Sequence, residues 1–506
     1  MYKNVIWWIK RDLRLKDNSA LTESLRHATQ VIPLLILEPS IMNSPDYSGF
    51  HFEAIRDAAR ALREQLQARG SNLWVCIGEF EEALTEVERY TAIDAIFSHE
   101  ETGSSFTYSR DKRVARYLAT RGIPWIELPT NGVIRRLKDR SQRTALWHRR
   151  MYAPQHEAPP TFPISSTLRS EMSKRDIPAQ LPTQFSLTIP SGTRLVVSEQ
   201  EAEVTLDSFL QTRGMEYRYR ISSPVTAMTS GSRLSAHLAW GTISLRRVLS
   251  LTEARIKELE RDSHEESTSW RSSLRAFTSR LHWHDHFIQR LESEPKMEFR
   301  ALNPAFRDIP YVSDAERLER WLTGATGVPL VDACMRCLQA TGFLNFRMRA
   351  MVVSYACHIL HLSWRDIMYP LAALFYDYEP GIHISQLQMQ AGVVGINTIR
   401  VYNPEKQLSE HDPHLRFTHH WVPELRSYTL PELLSHTSHP LPHYYKPMVD
   451  YRESSAKMRQ ILYAIKKSAK GKAVSEEVLR KHGSNRRRSG RKSDKGGGNR
   501  QQLSLF

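Results

Sequence analysis

The sequence is organised around residues 326–404, which open with Thr-Gly-Val-Pro-Leu-Val-Asp-Ala-Cys-Met-Arg at 326–336. The pattern predicts two amphipathic helices and then an acidic turn, Asp-Tyr-Glu-Pro-Gly at 377–381. Beyond the turn, four amide side chains stand among apolar residues: Gln386, Gln388, Gln390 and Asn397. Buried amides need hydrogen-bond partners, and a planar polar ligand supplies them. The segment therefore predicts the lining of a ligand pocket.

Five short motifs connect this segment to a known family. They follow one another as in the flavin-binding domain of the cryptochrome/photolyase family: 326–336, Ser-Trp-Arg at 363–365, Asp-Tyr-Glu at 377–379, Arg-Val-Tyr-Asn-Pro at 400–404 and Trp-Val-Pro-Glu-Leu at 421–425. The chain resembles this family over about residues 1–430. The resemblance implies bound FAD and light-driven chemistry on DNA.

Composition sets broad limits on the protein. The chain has 506 residues, of which 41% are hydrophobic and 25% charged, enough for two domains with a sizeable core. Four cysteines argue against a disulfide scaffold and favour a reducing compartment. No apolar run reaches the roughly 18 residues that span a bilayer, and the N-terminus lacks a signal-peptide pattern. We therefore expect a cytoplasmic protein without a membrane partner.

The net charge of +15 is concentrated at the C-terminus. Residues 465–506 contain 13 Lys or Arg and 3 acidic residues, so ten of the excess positive charges lie there. A basic tail favours polyanions such as nucleic acid through counterion release, which would place the protein at the nucleoid. A solvated tail that only keeps the protein soluble is the alternative.

The first 130 residues alternate short apolar runs with amphipathic stretches. The pattern predicts strands at 5–9, 31–37, 73–77, 95–98 and 124–127, and helices at 21–28, 52–69, 81–90 and 108–121. This alternation is typical of an α/β domain with a doubly wound parallel sheet. In the family this domain often holds an antenna chromophore. A second chromophore of unknown identity and an empty scaffold therefore both remain open.

Seven prolines between residues 131 and 199 interrupt regular structure and predict an interdomain linker. The pattern then becomes helical, and we expect an all-α flavin-binding domain at 200–465. Residues 466–506 are basic and, toward their end, rich in glycine. This composition predicts a mostly disordered tail.

A phosphate site is predicted at Gly-Ser-Arg-Leu-Ser, residues 231–235, before a helix with Ser235 at its N-cap. Small hydroxyl residues and free N–H groups at a helix start suit a diphosphate, although an ordinary capped helix has the same pattern. The segment resembles the family's phosphate clamp. The resemblance implies these cofactor-binding residues: Tyr219, Gly231, Ser232, Arg233, Leu234, Ser235, Arg349, Asp377 and Glu379. It also implies an Arg349–Asp377 pair beside the isoalloxazine ring, where a fixed charge tunes redox chemistry.

The same resemblance implies two catalytic residues, Trp364 and His383. Trp364 matches the middle tryptophan of the family's electron relay, and His383 matches the residue against the reactive flavin nitrogen. The flavin-proximal relay position is Leu387, and the surface position is Tyr311. Because leucine has no low-lying redox state, photoreduction by this route is expected to be weak or rerouted.

The lesion-facing positions of the family are kept only in part. The resemblance implies contacts with DNA or a flipped-out lesion from Arg280, Trp283, Arg347, Met389 and Gln407. Arg280 replaces a glutamate that hydrogen-bonds the damaged base in typical repair enzymes. An arginine can grip a phosphate or a base edge, but it cannot act as a carboxylate. Met389 replaces a tryptophan.

Two patterns contain side chains that can bind a metal, but neither predicts a metal site. The three histidines within 282–286 alternate, so they do not share one face of a helix. Cys334 and Cys337 form a CxxC pair, but a zinc or iron–sulfur site needs four ligands, and the other two cysteines are distant in sequence. We expect the pair to pack in a core, and no metal site.

The chain ends Gln502-Leu503-Ser504-Leu505-Phe506, which resembles the pentapeptide by which bacterial repair enzymes and polymerases bind the DNA sliding clamp. The glutamine would supply amide hydrogen bonds, and the three apolar side chains would fill a groove. A chance apolar terminus, or docking back onto the protein, is the alternative.

The resemblance leaves two functions open. It favours FAD-dependent, light-driven repair of pyrimidine lesions in DNA, with electron transfer from reduced flavin to a flipped-out lesion, as in a deoxyribodipyrimidine photolyase. The alternative is a cryptochrome-like blue-light photoreceptor without repair activity. A nucleic-acid-binding protein without photochemistry would leave the flavin motifs unexplained.

Overall fold

The computed structural model describes residues 1–183, 185, 194–262 and 264–483. The mostly disordered tail was expected to begin at residue 466, but the helices Tyr451–Lys467 and Ala469–His482 occupy its first part. The rest of that tail, beyond residue 483, and the clamp-binding peptide at 502–506 lie outside the described residues. None of the described helices is long and apolar enough to cross a membrane.

A five-stranded parallel sheet forms the centre of the N-terminal half. Its strands are β1 (Tyr2–Ile9), β2 (Ala28–Leu37), β3 (Trp74–Ile77), β4 (Ala95–His99) and β5 (Trp125–Leu128). The strand order is β3-β2-β1-β4-β5, and Ile6 of β1 pairs with Ile32 on one side and with Ile96 on the other. The predicted doubly wound parallel sheet is confirmed.

Helices accompany this sheet, and apolar cores lie on both of its faces. The helices are α1 (Ser19–His27), α2 (Pro39–Met42), α3 (Gly49–Gln67), α4 (Phe80–Glu88) and α5 (Ser105–Thr120). Successive residues of β1 enter separate cores: Trp7 packs in the cluster that contains Phe50, and Trp8 in the cluster that contains Phe80. Strands buried on both faces are nearly continuous apolar runs, and this is the pattern that located them in the sequence.

The remainder of the described chain is mainly helical, as predicted. Two helices, α6 (Arg143–Met151) and α7 (Ser166–Ser173), lie within the interdomain segment. The others are α8 (Glu199–Gln211), α9 (Tyr217–Arg220), α10 (Ala227–Ser230), α11 (Ser235–Ala239), α12 (Leu245–Leu259), α13 (Glu265–Ser293), α14 (Ala315–Thr323), α15 (Pro329–Thr341), α16 (Phe346–His358), α17 (Trp364–Leu374), α18 (Pro380–Gln390), α19 (Pro404–His411), α20 (Arg416–Trp421), α21 (Leu430–Ser435), α22 (Tyr451–Lys467) and α23 (Ala469–His482). Short 3-10 helices occur at Arg140–Gln142, Arg213–Glu216, Pro295–Glu298, Pro304–Phe306 and Pro423–Leu425.

One large apolar core supports the C-terminal half. Cys334 and Cys337 of α15 are buried in this core together with Val331 and Leu338, as their apolar surroundings in the sequence predicted. Within the described residues, no group of three or more His, Cys, Asp or Glu side chains is placed to hold a metal ion.

The two halves meet where the loop after β1 contacts the segment before α18. Arg11 Nε donates to the carbonyl oxygen of Ala239 at 3.0 Å, and the Arg11 guanidinium lies 3.5 Å from the carboxylate of Glu379. Gly241, with φ +68°, passes so close to Arg11 that an added Cβ would lie 2.0 Å from the Arg11 carbonyl oxygen. Glycine is required there, and the close contact holds the end of α11 against the loop after β1.

Candidate cofactor site

A cavity of about 340 Å³ lies in the helical half. Its walls come from the segment before α11, from α13 and α16, and from α18 with the turn that precedes it. Ten of the predicted cofactor-binding, catalytic and DNA-contacting residues line this cavity: Gly231, Ser232, Arg233, Leu234, Ser235, Arg280, Arg349, Asp377, Glu379 and His383. Motifs that are far apart in sequence therefore meet at one cavity, whose size is typical of a ligand site.

Arg349 and Asp377 form an ion pair in the cavity wall. Arg349 Nη2 donates to the two carboxylate oxygens of Asp377 at 2.8 and 3.0 Å, and Arg349 Nε donates to the carbonyl oxygen of Leu344 at 2.7 Å. The guanidinium carbon lies 4.1 Å from the centroid of the Phe375 ring. This geometry holds a positive charge at a fixed position beside an apolar surface, as the sequence predicted.

The segment 231–235 joins α10 to α11 and lies against the same cavity. Arg233 has φ +61°, which turns the chain sharply, and its side chain lines the cavity. Arg213, which the sequence analysis did not single out, holds the segment in place. Its guanidinium donates to the carbonyl oxygens of Gly231 and, at 3.4 Å, Ser232. The segment thus places a cation where a phosphate group of a cofactor can be bound.

Two expectations near this segment are corrected by the structure. Ser235 is the first residue of α11 rather than its N-cap, because Leu234 already has helical backbone angles and occupies the cap position. Tyr219 is 65% exposed and lies outside the cavity, whereas Tyr217 is 8% exposed and lines it. Residues two apart in a helical turn differ by about 200° in direction, so a register error of two moves the side chain to the opposite face.

The four amides after the acidic turn divide between the cavity and the core. Gln386 and Gln390 lie four residues apart on one face of α18, and both line the cavity. Gln388 faces away and exchanges three hydrogen bonds with backbone groups of residues 297–302. Asn397 does not line the cavity.

The chemistry of the lining suits FAD. Asn345 Nδ2 donates to two backbone carbonyls at 2.9 and 3.0 Å, while Asn345 Oδ1 and Gln386 Oε1 are buried without a partner among the described residues. A buried acceptor without a donor is costly, and donor groups of a flavin would satisfy both oxygens. Apolar walls such as Leu371 and Ile382 complete a site for a planar ring.

Burial tunes two ionisable groups on the α18 side of the cavity. It raises the pKa of Glu379, and Arg11 acts against this shift. It lowers the pKa of His383 to about 4, and His383 Nε2 lies 2.8 Å from the carbonyl oxygen of Met368. The ring is therefore neutral at pH 7, and Nε2 donates to the carbonyl while Nδ1 carries the lone pair.

Arg280 is the lesion-facing residue that reaches the cavity. Its guanidinium carbon lies 5.7 Å from the centroid of the Phe346 ring, and the side chain is partly exposed, so the cavity communicates with solvent beside it. Trp283, Arg347 and Gln407 do not line the cavity. Arg347 Nε and Gln407 Oε1 are nevertheless buried and without a partner in the described part of the chain.

Met389 and Trp364 both lie in the apolar core. Met389, an expected lesion contact, packs among core residues and does not line the cavity, so its contact with a lesion stays a prediction. Trp364 is buried and does not line the cavity, whereas Leu387 does. The aliphatic residue of the relay is therefore the one at the cavity wall.

Two tyrosines of the lining, Tyr217 and Tyr378, are among the residues that were not found from sequence. Tyr378 lines the cavity, and its hydroxyl donates to Asp46 at 2.8 Å. Its position between Asp377 and Glu379 was the signal that could have identified it. The sequence contains no such signal for Tyr217. Only the path of the backbone decides that Tyr217, and not Tyr219, faces the cavity.

Two further cavities border the N-terminal half. The first, of about 70 Å³, lies at the carboxyl end of the sheet and is too small for a chromophore. Glu101 in its wall is paired with buried Arg110 at 3.2 Å. The second, of about 530 Å³, lies beside α5 and β5, with Tyr108, Trp125 and Arg135 in its walls.

Comparison with known proteins agrees with this architecture. A family model described as DNA photolyase matches residues 5–149, and one described as the FAD-binding domain of DNA photolyase matches residues 277–464. A deoxyribodipyrimidine photo-lyase of Thermus thermophilus is 32% identical over 431 residues, which cover 83% of this chain and 92% of that protein. A cryptochrome DASH of Natronomonas pharaonis is 26% identical over 462 residues, 85% of this chain and 91% of that protein.

The fold is also shared with a solved structure. The crystal structure of a Synechocystis cryptochrome superposes with a TM-score of 0.77 at 21% identity and covers 91% of this chain and 99% of that chain. The cavity accordingly belongs to an FAD-binding domain of the photolyase type. Similarity to the Thermus protein over most of both chains shows that this chain belongs to the DNA photolyase/cryptochrome family.

Proposed function

We propose that the protein is a deoxyribodipyrimidine photolyase-like lyase that repairs pyrimidine lesions in DNA with light. The observation that carries this proposal is the position of Arg280, which lines the cofactor cavity and is also partly exposed. A cation at the mouth of a flavin cavity can hold a phosphate or base edge of a nucleotide that has left the duplex. Reduced FAD, when bound, supplies the electron and absorbs the light.

The residues of the chain bind and orient the reactants. Arg349 and Asp377 fix the charge beside the ring, Arg233 binds a phosphate of the cofactor, and neutral His383 presents no positive charge near the ring. Trp283, whose ring centroid lies 5.5 Å from that of Phe287, is partly exposed and offers an aromatic face on which a base can stack.

A blue-light photoreceptor without repair activity is the second candidate. It is favoured by Leu387 and Met389, which replace two aromatic residues of the family, and by the similarity to a cryptochrome DASH. The two candidates share the FAD site and differ in what they do with damaged DNA.

A repair assay separates the two candidates. The purified holoprotein is illuminated with oligonucleotides that carry defined pyrimidine lesions, and a dark sample serves as the reference. Repair in light alone supports the lyase, and we expect Arg280→Gln to lower the rate about tenfold or more. Arg275→Gln, at an exposed position on the same helix, is the matched control and should repair at the parent rate. Bound FAD, equal affinity for damaged and intact DNA and no repair would favour the photoreceptor.

The cavity of about 530 Å³ beside α5 is our proposed site for a second, light-harvesting chromophore. Its volume suits a ligand of chromophore size, and Trp125 and Arg135 offer an aromatic face and a cation. Extraction of the purified protein followed by absorption and mass spectrometry tests this. FAD as the only pigment would indicate an empty scaffold.

We also propose that the C-terminal peptide binds the bacterial sliding clamp and so keeps the enzyme near DNA at the nucleoid. The support is the sequence Gln-Leu-Ser-Leu-Phe behind a basic segment, which combines a groove-binding peptide with a segment that attracts DNA. Titration of the 501–506 peptide with a bacterial clamp is the test, with a Leu505→Ala, Phe506→Ala peptide as control. Equal binding of both peptides, or none, would contradict the tether.

A further inference from the structure

A second group of polar side chains lies away from the cofactor cavity, where the interdomain segment, α13 and the end of α23 meet. It consists of Arg140, Arg143, His286, Arg290 and His482, which we call the arginine cluster. Arg290 and His286 are only 2% and 3% exposed. None of the five lines the cofactor cavity.

His286 lies between two guanidinium groups. Arg140 Nη2 is 3.2 Å from His286 Nδ1, and Arg290 Nη2 is 3.1 Å from His286 Nε2. A neutral imidazole has one lone pair and one N–H group, so it accepts a hydrogen bond from one arginine only. In the contact with the other arginine, the N–H group of the guanidinium faces the N–H group of the imidazole, and no hydrogen bond forms. The cluster therefore holds donors in excess of its acceptors.

Five guanidinium nitrogens of the cluster are buried without a partner among the described residues. They are Arg140 Nη1, Arg143 Nε and Nη2, and Arg290 Nε and Nη1. No carboxylate of the described chain forms an ion pair with these three arginines. Unpaired buried cations are strongly destabilising, because burial removes their hydration without replacing it.

The pKa values shift in the direction expected for cations that lack a counterion. Burial lowers the pKa of Arg290 to about 9 and that of Arg140 to about 10, and in each case a neighbouring arginine adds to the shift. Burial, with the surrounding arginines, also lowers the pKa of His286. Asp285 acts on Arg143, but one of its oxygens already accepts from Gly132 N and Trp147 Nε1, at 2.9 and 2.7 Å.

We propose that the arginine cluster is a binding site for an oxyanion of the phosphate class. Guanidinium groups match the oxygens of a phosphate in geometry and charge, and such an anion supplies the acceptors that the buried nitrogens of the cluster lack. The site joins residues 140–143 to α13 and to the last residue of α23. Bound anion would thus fasten the C-terminal helix to the interdomain segment, independently of the cofactor.

Thermal unfolding of the full-length holoprotein tests the proposal. The probe is inorganic phosphate, titrated at constant ionic strength with chloride. We expect a saturable rise of the unfolding temperature of about 2 °C or more, since a ligand that binds only the folded state stabilises it. Sulfate should act in the same way. A rise no greater than that with chloride would overturn the proposal.

Variants assign the effect to the cluster. Arg290→Gln should abolish the response to phosphate, and it should lose little stability in phosphate-free buffer because it removes a buried unpaired charge. Arg143→Gln, at the partly exposed edge, should weaken the response about tenfold without altering a fully buried position. Arg149→Gln, exposed on α6, is the matched control and should respond like the parent. An unchanged response in Arg143→Gln and Arg290→Gln would place the anion elsewhere and contradict the site.

The tail supplies a final check, because Asp494 is the one acidic side chain after residue 483. Full-length Asp494→Asn should respond to phosphate like the parent if the ligand is a free oxyanion. A response found only in Asp494→Asn would mean that the chain's own carboxylate occupies the cluster, and the proposal would then be wrong.

Discussion

One nitrogen of Arg349 contacts both carboxylate oxygens of Asp377, at 2.8 and 3.0 Å, so a single arginine nitrogen governs the orientation of the acid in the cavity wall. Asp377 is buried and Arg349 is partly exposed. The pair is consequently a dipole, and its positive end, the Arg349 guanidinium, is more accessible than its negative end. The guanidinium lies over the face of the Phe375 ring.

Breaking this pair is expected to release the cofactor. Arg349→Gln leaves the buried Asp377 carboxylate without its cation, and we expect FAD affinity to fall about tenfold or more, which corresponds to roughly 1.4 kcal/mol. Flavin content of the purified protein and FAD titration of the apoprotein measure this. Arg336→Gln breaks a similar arginine–carboxylate pair with Glu424 outside the cavity and should retain FAD. The double variant Arg349→Gln, Asp377→Asn should recover part of the loss.

Removal of Arg213 should weaken FAD binding from a distance. Its guanidinium is bonded to the backbone of the 231–235 segment, so Arg213→Ala frees this segment without touching a lining side chain. We expect FAD affinity to fall roughly three- to tenfold, about the effect of one lost hydrogen bond of typical strength. Arg218→Ala, at an exposed position nearby, is the control. Equal FAD affinity in both variants would show that Arg213 does not position the segment.

The protein should lose stability on mild acidification. Burial lowers the pKa of His51, His237, His358 and His383 to about 4 each, below the ordinary value near 6.5. The unfolded chain therefore binds more protons between these values, and the free energy of unfolding falls as the pH drops from about 6.5 to about 4, by up to roughly 1.4 kcal/mol per pH unit for each histidine.

Unfolding measured at pH 7, 6 and 5 checks this slope. His358→Gln should reduce the slope of the free energy of unfolding against pH by the contribution of about one proton, because His358 is almost completely buried. His439→Gln, at an exposed position, should leave the slope unchanged. A pH-independent stability across this range would contradict the prediction.

Introducing an aromatic residue at the cavity wall should open the electron relay. Leu387 lines the cavity and Trp364 does not, so an electron from Trp364 must cross an aliphatic position. We expect Leu387→Trp to speed photoreduction of the flavin about tenfold, and Leu387→Trp, Trp364→Phe to lose that gain. Absorbance under illumination gives both rates. No gain in the single variant would mean that position 387 is not part of the relay.

The sequence was most informative where a pattern is repeated along one element. The predicted strand at 5–9 is part of β1, which begins three residues earlier and includes polar Asn4, whose side chain is bonded to Thr91 and to the carbonyl of Ala92. Apolar periodicity does not register a buried polar residue whose partners lie some 90 residues away. The same holds for Arg213, whose role depends on a segment that follows it by 18 residues.

Single residues near the site were harder to place than the site itself. Motif spacing brought Arg349 and Asp377 together correctly, yet it placed Tyr219 where the structure has Tyr217. This error is one of helix phase, which an insertion or a turn of irregular length changes. The arginine cluster could not be foreseen, because its members at 140, 290 and 482 meet only in the folded chain.

The close approach of Gly241 to the Arg11 carbonyl has an optical consequence. The contact joins the loop after β1 to the end of α11, so it constrains the spacing and the angle between the cavity beside α5 and the flavin cavity. Excitation energy passes between two pigments with an efficiency that depends on both quantities. If the cavity beside α5 holds the proposed light-harvesting chromophore, a glycine with no side chain helps to fix the coupling between that chromophore and the flavin.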